Sequence, residues 1–222
     1  LKSFLKFKLY LHKLNLIEAK LENMFPSGYP VLCSSGRAAI NIALSFKNQN
    51  RLNLIGVNTF TSHCVLDAIA RIATPIRWDP ENKNIKMRLI YHQWGYTQKE
   101  KISINTIDDC VDTLCEKGTE LFPTSKDFEI WSLPKILGTS SGAILWCKDK
   151  NVAEKIRNNI RIRGGGFYCW ILRILSLLNK NFYWIWQGIE AQKGSLSKIE
   201  ILEINNAIDN WEFIVKDRKI KL

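Results

Sequence analysis

Seven short apolar runs, rich in β-branched and aromatic residues, alternate with helical patterns between residues 31 and 146 of this chain. A helical stripe of Ile40, Ala43 and Leu44 separates the first two runs, and a similar stripe follows the second. This alternation predicts an α/β sheet of mostly parallel strands flanked by helices, with strands that are apolar on both faces. The expected strands are residues 31–33, 53–57, 75–78, 88–92, 104–107, 128–131 and 143–146.

The chain is expected to have three parts. Residues 1–30 form an N-terminal helical arm, 31–150 an α/β core, and 151–222 a helical segment packed on that core. Gly164-Gly165-Gly166 interrupts the last part. Its final helical pattern starts at 197–200, where Ser and Glu have the spacing of a capping box.

The composition is basic, with a formal net charge of +11 over 222 residues. Such a chain can bind nucleic acid, an anionic membrane surface or an anionic metabolite, and a Lys-, Ile- and Asn-rich bias explains the charge equally well. No RNP-like aromatic motif is present, so no nucleic-acid partner is expected. Six cysteines form no Cys-x-x-Cys pair, which argues against a metal site and favours reduced thiols in a cytoplasmic protein.

Three polar segments follow predicted strands. Ser-Ser-Gly-Arg at 34–37 lies where a strand turns into a helix, which is typical either of a phosphate site or of a plain helix cap. Asp108 and Asp109 close another strand at the end where open α/β sheets bind ligands. Lys135 follows a third strand; burial of such a lysine lowers its pKa and produces a nucleophilic amine, although many are merely solvated.

The order of these segments is more specific than any one of them and resembles the DegT/DnrJ/EryC1/StrS family of aminotransferases. These are pyridoxal-phosphate enzymes of the aspartate-aminotransferase fold that act on keto sugars attached to nucleotides. The resemblance covers about residues 18–218. It rests on Ser-Ser-Gly-x-Ala-Ala-Ile at 34–40, Thr59-Phe60, Asp79, His92-Gln93-Trp94-Gly95, Asp108-Asp109-Cys110 and Lys135 with its Ser/Gly-rich tail.

The resemblance implies that residues 31–150 bind pyridoxal 5'-phosphate (PLP). Lys135 would hold the cofactor through an imine and move a proton between substrate and cofactor. Asp109 would pair with the pyridine nitrogen, and Phe60 would stack on the ring. Lys135 stands where the dehydratase branch of the family has a histidine, which favours an aminotransferase.

The resemblance also places the cofactor's phosphate at Ser35, Gly36 and Arg37, with a further hydroxyl from Ser132. Arg37 replaces a small hydroxyl residue of the family, and it keeps the backbone N–H while adding a positive charge. Asp112 stands where the family has Gln or His near the phenolic oxygen, and a carboxylate there would repel that oxygen unless it is protonated or turned away. The family's later Asn, which reaches the partner subunit's phosphate, has no clear match near residues 187–196.

As a function, the resemblance implies transfer of an amino group from an amino acid such as glutamate to a nucleotide-linked keto sugar, for surface polysaccharide or a related glycan, by a homodimer. Family members carry a smaller C-terminal domain, so the sequence is interpreted as the large domain only. The alternative is an impaired homologue that acts as a binding or membrane-surface assembly protein. Its contact would use the basic N-terminus and the cluster Trp170, Tyr183, Trp184 and Trp186, which otherwise forms packing or a dimer surface.

Overall fold

The structure is a computed structural model that describes residues 2–93, 97, 104–113, 115–124, 127–163, 166–193 and 196–221. Trp94, Gly95, Gly164, Gly165 and the side chain of Trp170, on which parts of the sequence interpretation fall, lie outside the described residues.

The described residues form one sheet with helices on both faces. Its strands are β1 (Tyr29–Cys33), β2 (Leu54–Val57), β3 (Thr74–Arg77), β4 (Ile85–Tyr91), β5 (Asn105–Asp109), β6 (Phe128–Ser132) and β7 (Ala143–Cys147). Its helices are α1 (Lys2–Met24), α2 (Gly36–Phe46), α3 (His63–Ala70), α4 (Leu133–Leu137), α5 (Lys150–Arg163), α6 (Gly166–Leu178), α7 (Lys180–Lys193), α8 (Lys198–Asp209) and α9 (Trp211–Lys221). All seven expected strands are therefore confirmed.

The strand order is β1-β7-β6-β5-β4-β2-β3, and the sheet is mostly parallel, as the sequence predicts. β7 runs antiparallel to both β1 and β6, and the other pairs are parallel. Two reversals leave β1 pointing the same way as β4, β5 and β6. The residues that follow these four strands therefore meet on one side of the sheet, at the carboxyl ends of the strands.

β3 differs from the expectation that the strands are apolar on both faces. Thr74 and Arg77 are exposed, and the residues between them are only half-buried. The reason is its place at the end of the sheet, where one side has no neighbouring strand. Pro75, which has no N–H to donate, is tolerated at such an edge.

The helices divide the apolar core into two layers. On one face α2, α3 and α5 cover the sheet, with Ile40, Leu44 and Ile69 buried against it. On the other face α1, α4, α8 and α9 pack around Phe25, whose ring centroid lies 4.9 Å from that of Trp131. Each layer removes apolar surface from water, which is the main stabilising contribution.

Polar contacts fix the helices at the ends of the chain to this frame. Arg157 on α5 lies 3.0 Å from Glu18 and 2.9 Å from Glu22, both on α1, and also donates to the carbonyl of Pro30. α8 begins with the predicted capping box between Ser197 and Glu200. Within the described residues, the structure contains no helix long and apolar enough to span a membrane.

Candidate active site

The first turn of α2 has the form expected of an anion site. Ser35 caps the helix by accepting a hydrogen bond from the N–H of Ala38 at 3.2 Å. Helix geometry leaves the N–H groups of Gly36 and Arg37 without an intrahelical acceptor, and the first turn carries no acidic residue. These features favour a phosphate at this position.

Asp109 ends β5 on the same side of the sheet, and its side chain is fully buried. One carboxylate oxygen, Oδ1, accepts from the N–H of Val111 at 3.3 Å. The other, Oδ2, is buried and has no hydrogen-bond partner among the described residues. Burial raises the pKa of Asp109 to about 6, although the Val111 N–H and the charges of Lys135 and His92 oppose this rise. The carboxyl is therefore mostly ionised at neutral pH.

Lys135 lies on α4, the short helix that begins directly after β6. Its Nζ is 2.5 Å from Oδ1 of Asp112, and Tyr91 donates its hydroxyl to the other oxygen of that carboxylate. The side chain of Lys135 is 51% exposed, so the burial expected for a Schiff-base lysine is not observed. A carboxylate, rather than an apolar pocket, holds the amine in place.

The remaining predicted residues take less constrained positions. Ser132, at the end of β6, is half-buried, and its hydroxyl caps no N–H of α4. Phe60 lies in the loop between β2 and α3 with 79% of its surface exposed, where Gln93 donates to its carbonyl. Both carboxylate oxygens of Asp112 accept hydrogen bonds, one from Lys135 and the other from Tyr91. The ammonium group of Lys135 therefore balances the negative charge of Asp112.

His92 is fully buried, and its Nε2 is 3.0 Å from Oδ1 of Asp108. Because successive side chains of a strand point to opposite faces, the side chains of Asp108 and Asp109 lie on different faces of the sheet. Thr124 also donates to Asp108. His92 is thus paired within the layer opposite to the carboxylate of Asp109.

Two residues of this region, Tyr91 and Glu190, were missed by the sequence interpretation, and a third, Trp186, was named only as part of a packing or dimer surface. Tyr91 holds Asp112, Glu190 on α7 forms an ion pair with Arg37, and the ring of Trp186 lies 5.1 Å from the Arg37 guanidinium carbon. For Tyr91 the only available signal was its place at the end of a predicted strand. For the two residues of α7, no sequence signal indicated their partner.

This arrangement fits a pyridine-type cofactor that carries a phosphate and an aldehyde. Among the described residues Oδ2 of Asp109 has no hydrogen-bond partner, and it is an acceptor suited to a protonated ring nitrogen, since buried carboxylate oxygens are rarely left without a donor. The N-terminus of α2 would hold the phosphate, and the half-exposed amine of Lys135 would bind the aldehyde. The fold and the site together define a PLP-binding domain.

The comparisons with known proteins agree. The chain belongs to the family described as "Putative PLP-dependent aminotransferase", which it matches over residues 17–221. PLP is accordingly the cofactor of this family. No curated protein matches the sequence.

Among solved structures, the chain is similar to a DegT DnrJ EryC1 StrS aminotransferase from Brucella abortus, with 14% identity, a TM-score of 0.64, and coverage of 90% of this chain and 59% of that one. It is also similar to a "putative sugar aminotransferase" from Streptococcus pneumoniae in its PLP form (16% identity, TM-score 0.56, 69% and 50% coverage). A third is a variant of GDP-4-keto-6-deoxymannose-3-dehydratase (ColD) with bound GDP-perosamine (11% identity, TM-score 0.51, 64% and 45% coverage). At these identities the likeness establishes the PLP-dependent aminotransferase fold, and the chain spans 45% to 59% of the length of these proteins.

Proposed function

We propose that this chain binds PLP through Lys135 and belongs to an enzyme that transfers an amino group from an amino acid such as glutamate to a nucleotide-linked keto sugar. The observation that carries the proposal is the buried Oδ2 of Asp109, which has no hydrogen-bond partner in the part of the chain that the structure describes and lies within electrostatic reach of Lys135. An ionised carboxylate there holds a proton on the ring nitrogen, which is the requirement for an electron-withdrawing cofactor. Membership of the family supports this assignment over a non-enzymatic binding role.

The cofactor supplies an aldehyde that amines attack and a ring that withdraws electrons from the carbon attached to the substrate nitrogen. Asp112 holds Nζ of Lys135 in place, and Tyr91 fixes Asp112 from the other side. Lys135, held by this pair, would bind the cofactor's aldehyde as the neutral amine, because an ammonium group has no lone pair to donate. The same amine would be the group that holds the proton moved between the substrate and the cofactor.

The sugar substrate is inferred from the similar structures. One of them is described as a sugar aminotransferase, and another contains GDP-perosamine, a sugar joined to a nucleotide. The net charge of +11 suits an anionic diphosphate ligand in general. An enzyme of this kind, acting in the cytoplasm, would serve the synthesis of a surface polysaccharide or a related glycan.

A homodimer is supported by the exposed apolar surface of α6 and α7. Leu177 and Leu178 at the end of α6 are 83% and 81% exposed, and Trp184 on α7 is 51% exposed. Neighbouring exposed apolar side chains on two packed helices are typical of a surface that binds a partner. We infer that a second copy of the chain covers them.

Borohydride reduction after incubation with PLP tests the cofactor assignment. We expect the protein to become yellow and the reduced cofactor to be found on the peptide that contains Lys135 by mass spectrometry. Lys135→Ala should abolish both results, because it removes the amine whose charge acts on Asp109. Lys117→Ala is the matched control, since Lys117 is 56% exposed and also faces a carboxylate, Glu212 at 3.4 Å. A wild-type protein that stays colourless and unlabelled would refute the assignment.

A further inference from the structure

Arg37 is held by α7 as well as by its own helix. Its Nη2 forms an ion pair with Oε2 of Glu190, and the two side chains are only 14% and 5% exposed. Its guanidinium carbon lies 5.1 Å from the ring centroid of Trp186. Trp186 and Glu190 are four residues apart and so lie on one face of α7, where they fix both the plane and the edge of the guanidinium.

One donor of Arg37 remains open. Its Nε is buried and has no hydrogen-bond partner among the described residues. The N–H of Nε and one N–H of Nη2 point from the same edge of a guanidinium group, and that edge binds carboxylates and phosphates. Because Glu190 occupies Nη2 alone, an oxygen of a second anion can still bind Nε.

The charges around this edge leave room for an anion. Glu190 is buried, and its burial raises the pKa of its carboxyl group. The charge of Arg37 is the main effect that opposes this rise. Arg173 lies 6.0 Å from the same Trp186 ring and adds a second positive charge. Glu200 also acts on Glu190 and raises its pKa, so two guanidinium groups face two carboxylates, and the N-terminus of α2 adds its partial positive charge beside them.

We propose that Glu190 is a positioning residue for the cofactor's phosphate: it holds Arg37 so that the Nε–H donates to a phosphate oxygen alongside the N–H groups of α2. This inference rests on the proposed function, because it assigns residues to the phosphate of PLP. It gives α7 a part in binding the cofactor. It also explains how the long side chain of Arg37 is held in one conformation at the phosphate site. The contacts with Glu190 and Trp186 restrict its side-chain torsions before the ligand binds, which lowers the entropy cost of binding.

Titration with PLP and with pyridoxal, which lacks the phosphate, tests this assignment. Glu190→Leu should weaken PLP binding about tenfold, the loss expected for one charge-assisted hydrogen bond, and leave pyridoxal binding unchanged. Glu190→Gln, which keeps an acceptor oxygen for Nη2, should recover most of the affinity for PLP. Unchanged binding of pyridoxal also shows that each variant is folded.

The double variant completes the test. If Glu190 acts through Arg37, then Arg37→Met and Glu190→Leu together should weaken PLP binding no more than Arg37→Met alone. Additive losses, an equal effect on PLP and pyridoxal, or tighter PLP binding by Glu190→Leu would each overturn the inference. A wild-type protein that binds neither compound would instead overturn the proposed function, so the two failures are distinguishable.

Discussion

Replacing Asp109 with Asn removes the charge of a fully buried carboxyl group of the candidate site and should change how stability depends on pH. In the unfolded chain this carboxyl has its ordinary pKa of 3.8, whereas burial raises its pKa to about 6 in the folded protein. Between these two values the folded state therefore binds more protons than the unfolded state. A rise in pH through this window consequently lowers the free energy of unfolding.

The magnitude follows from the two pKa values. One pKa unit corresponds to about 1.4 kcal/mol, so the ionisation of Asp109 should lower the free energy of unfolding of the cofactor-free protein by about 3 kcal/mol between pH 3 and pH 7. Asn at this position keeps the oxygen that accepts from Val111 and cannot ionise. The variant should therefore be as stable as the wild type at pH 3 and more stable at pH 7.

Urea unfolding of both proteins at several pH values measures this difference. Glu129, whose pKa burial raises to about 7, adds its own pH dependence, but that contribution is common to both proteins and cancels in the difference. Asp79→Asn, at an exposed position, is the control for the change of side chain. Added PLP should reduce the effect in the wild type, because a protonated ring nitrogen opposite Oδ2 compensates the charge. If Asp109→Asn follows the wild type at every pH, the reasoning is wrong.

Two further substitutions test contacts away from the site. Arg157→Ala should lower the free energy of unfolding by about 3 kcal/mol in urea titrations, because it removes the positive charge beside the buried carboxylate of Glu18, whose side chain is 6% exposed. Adding Glu18→Gln should restore part of the loss, and a cost below about 0.5 kcal/mol would contradict the role of the pair. Leu177→Lys should shift the protein from dimer to monomer in light scattering, because it places a charge in the apolar surface of α6. A wild-type protein that is monomeric would contradict the homodimer, as would a wild-type protein that binds anionic vesicles in a salt-sensitive way instead of dimerising.

The strands could be predicted from the sequence because each is a short apolar run, and such runs remain recognisable wherever they fall in the sheet. The mostly parallel direction of the strands could be predicted from the alternation of strands and helices, but the reversal of β7 could not, since its apolar pattern suits either direction. The exposed ends of β3 were also missed, although Pro75 within the run is a residue type found mainly in edge strands.

The site shows the same limit. Asp109 and Lys135 were predicted from their places after strands and from the order of the motifs, and the structure brings both to one side of the sheet. The partner of Arg37 is 153 residues away, on the helix that carries Tyr183, Trp184 and Trp186. A pairing of this kind depends on how α7 packs against α2, which no local pattern encodes. For the same reason the exposure of Lys135 and its bond to Asp112 became evident only in three dimensions.

The apolar layer around Phe25, on the second face of the sheet, joins segments that are far apart in the sequence and are therefore synthesised at different times. Trp131 and Trp146 belong to one buried cluster with residues of α1 and with Trp211 and Val215 of α9. During translation, the sheet face carrying these two tryptophans stays open until α9 has been synthesised. The nascent chain therefore exposes apolar surface for much of its synthesis. We expect chaperones to protect this layer more than the layer beneath α2, which is complete earlier.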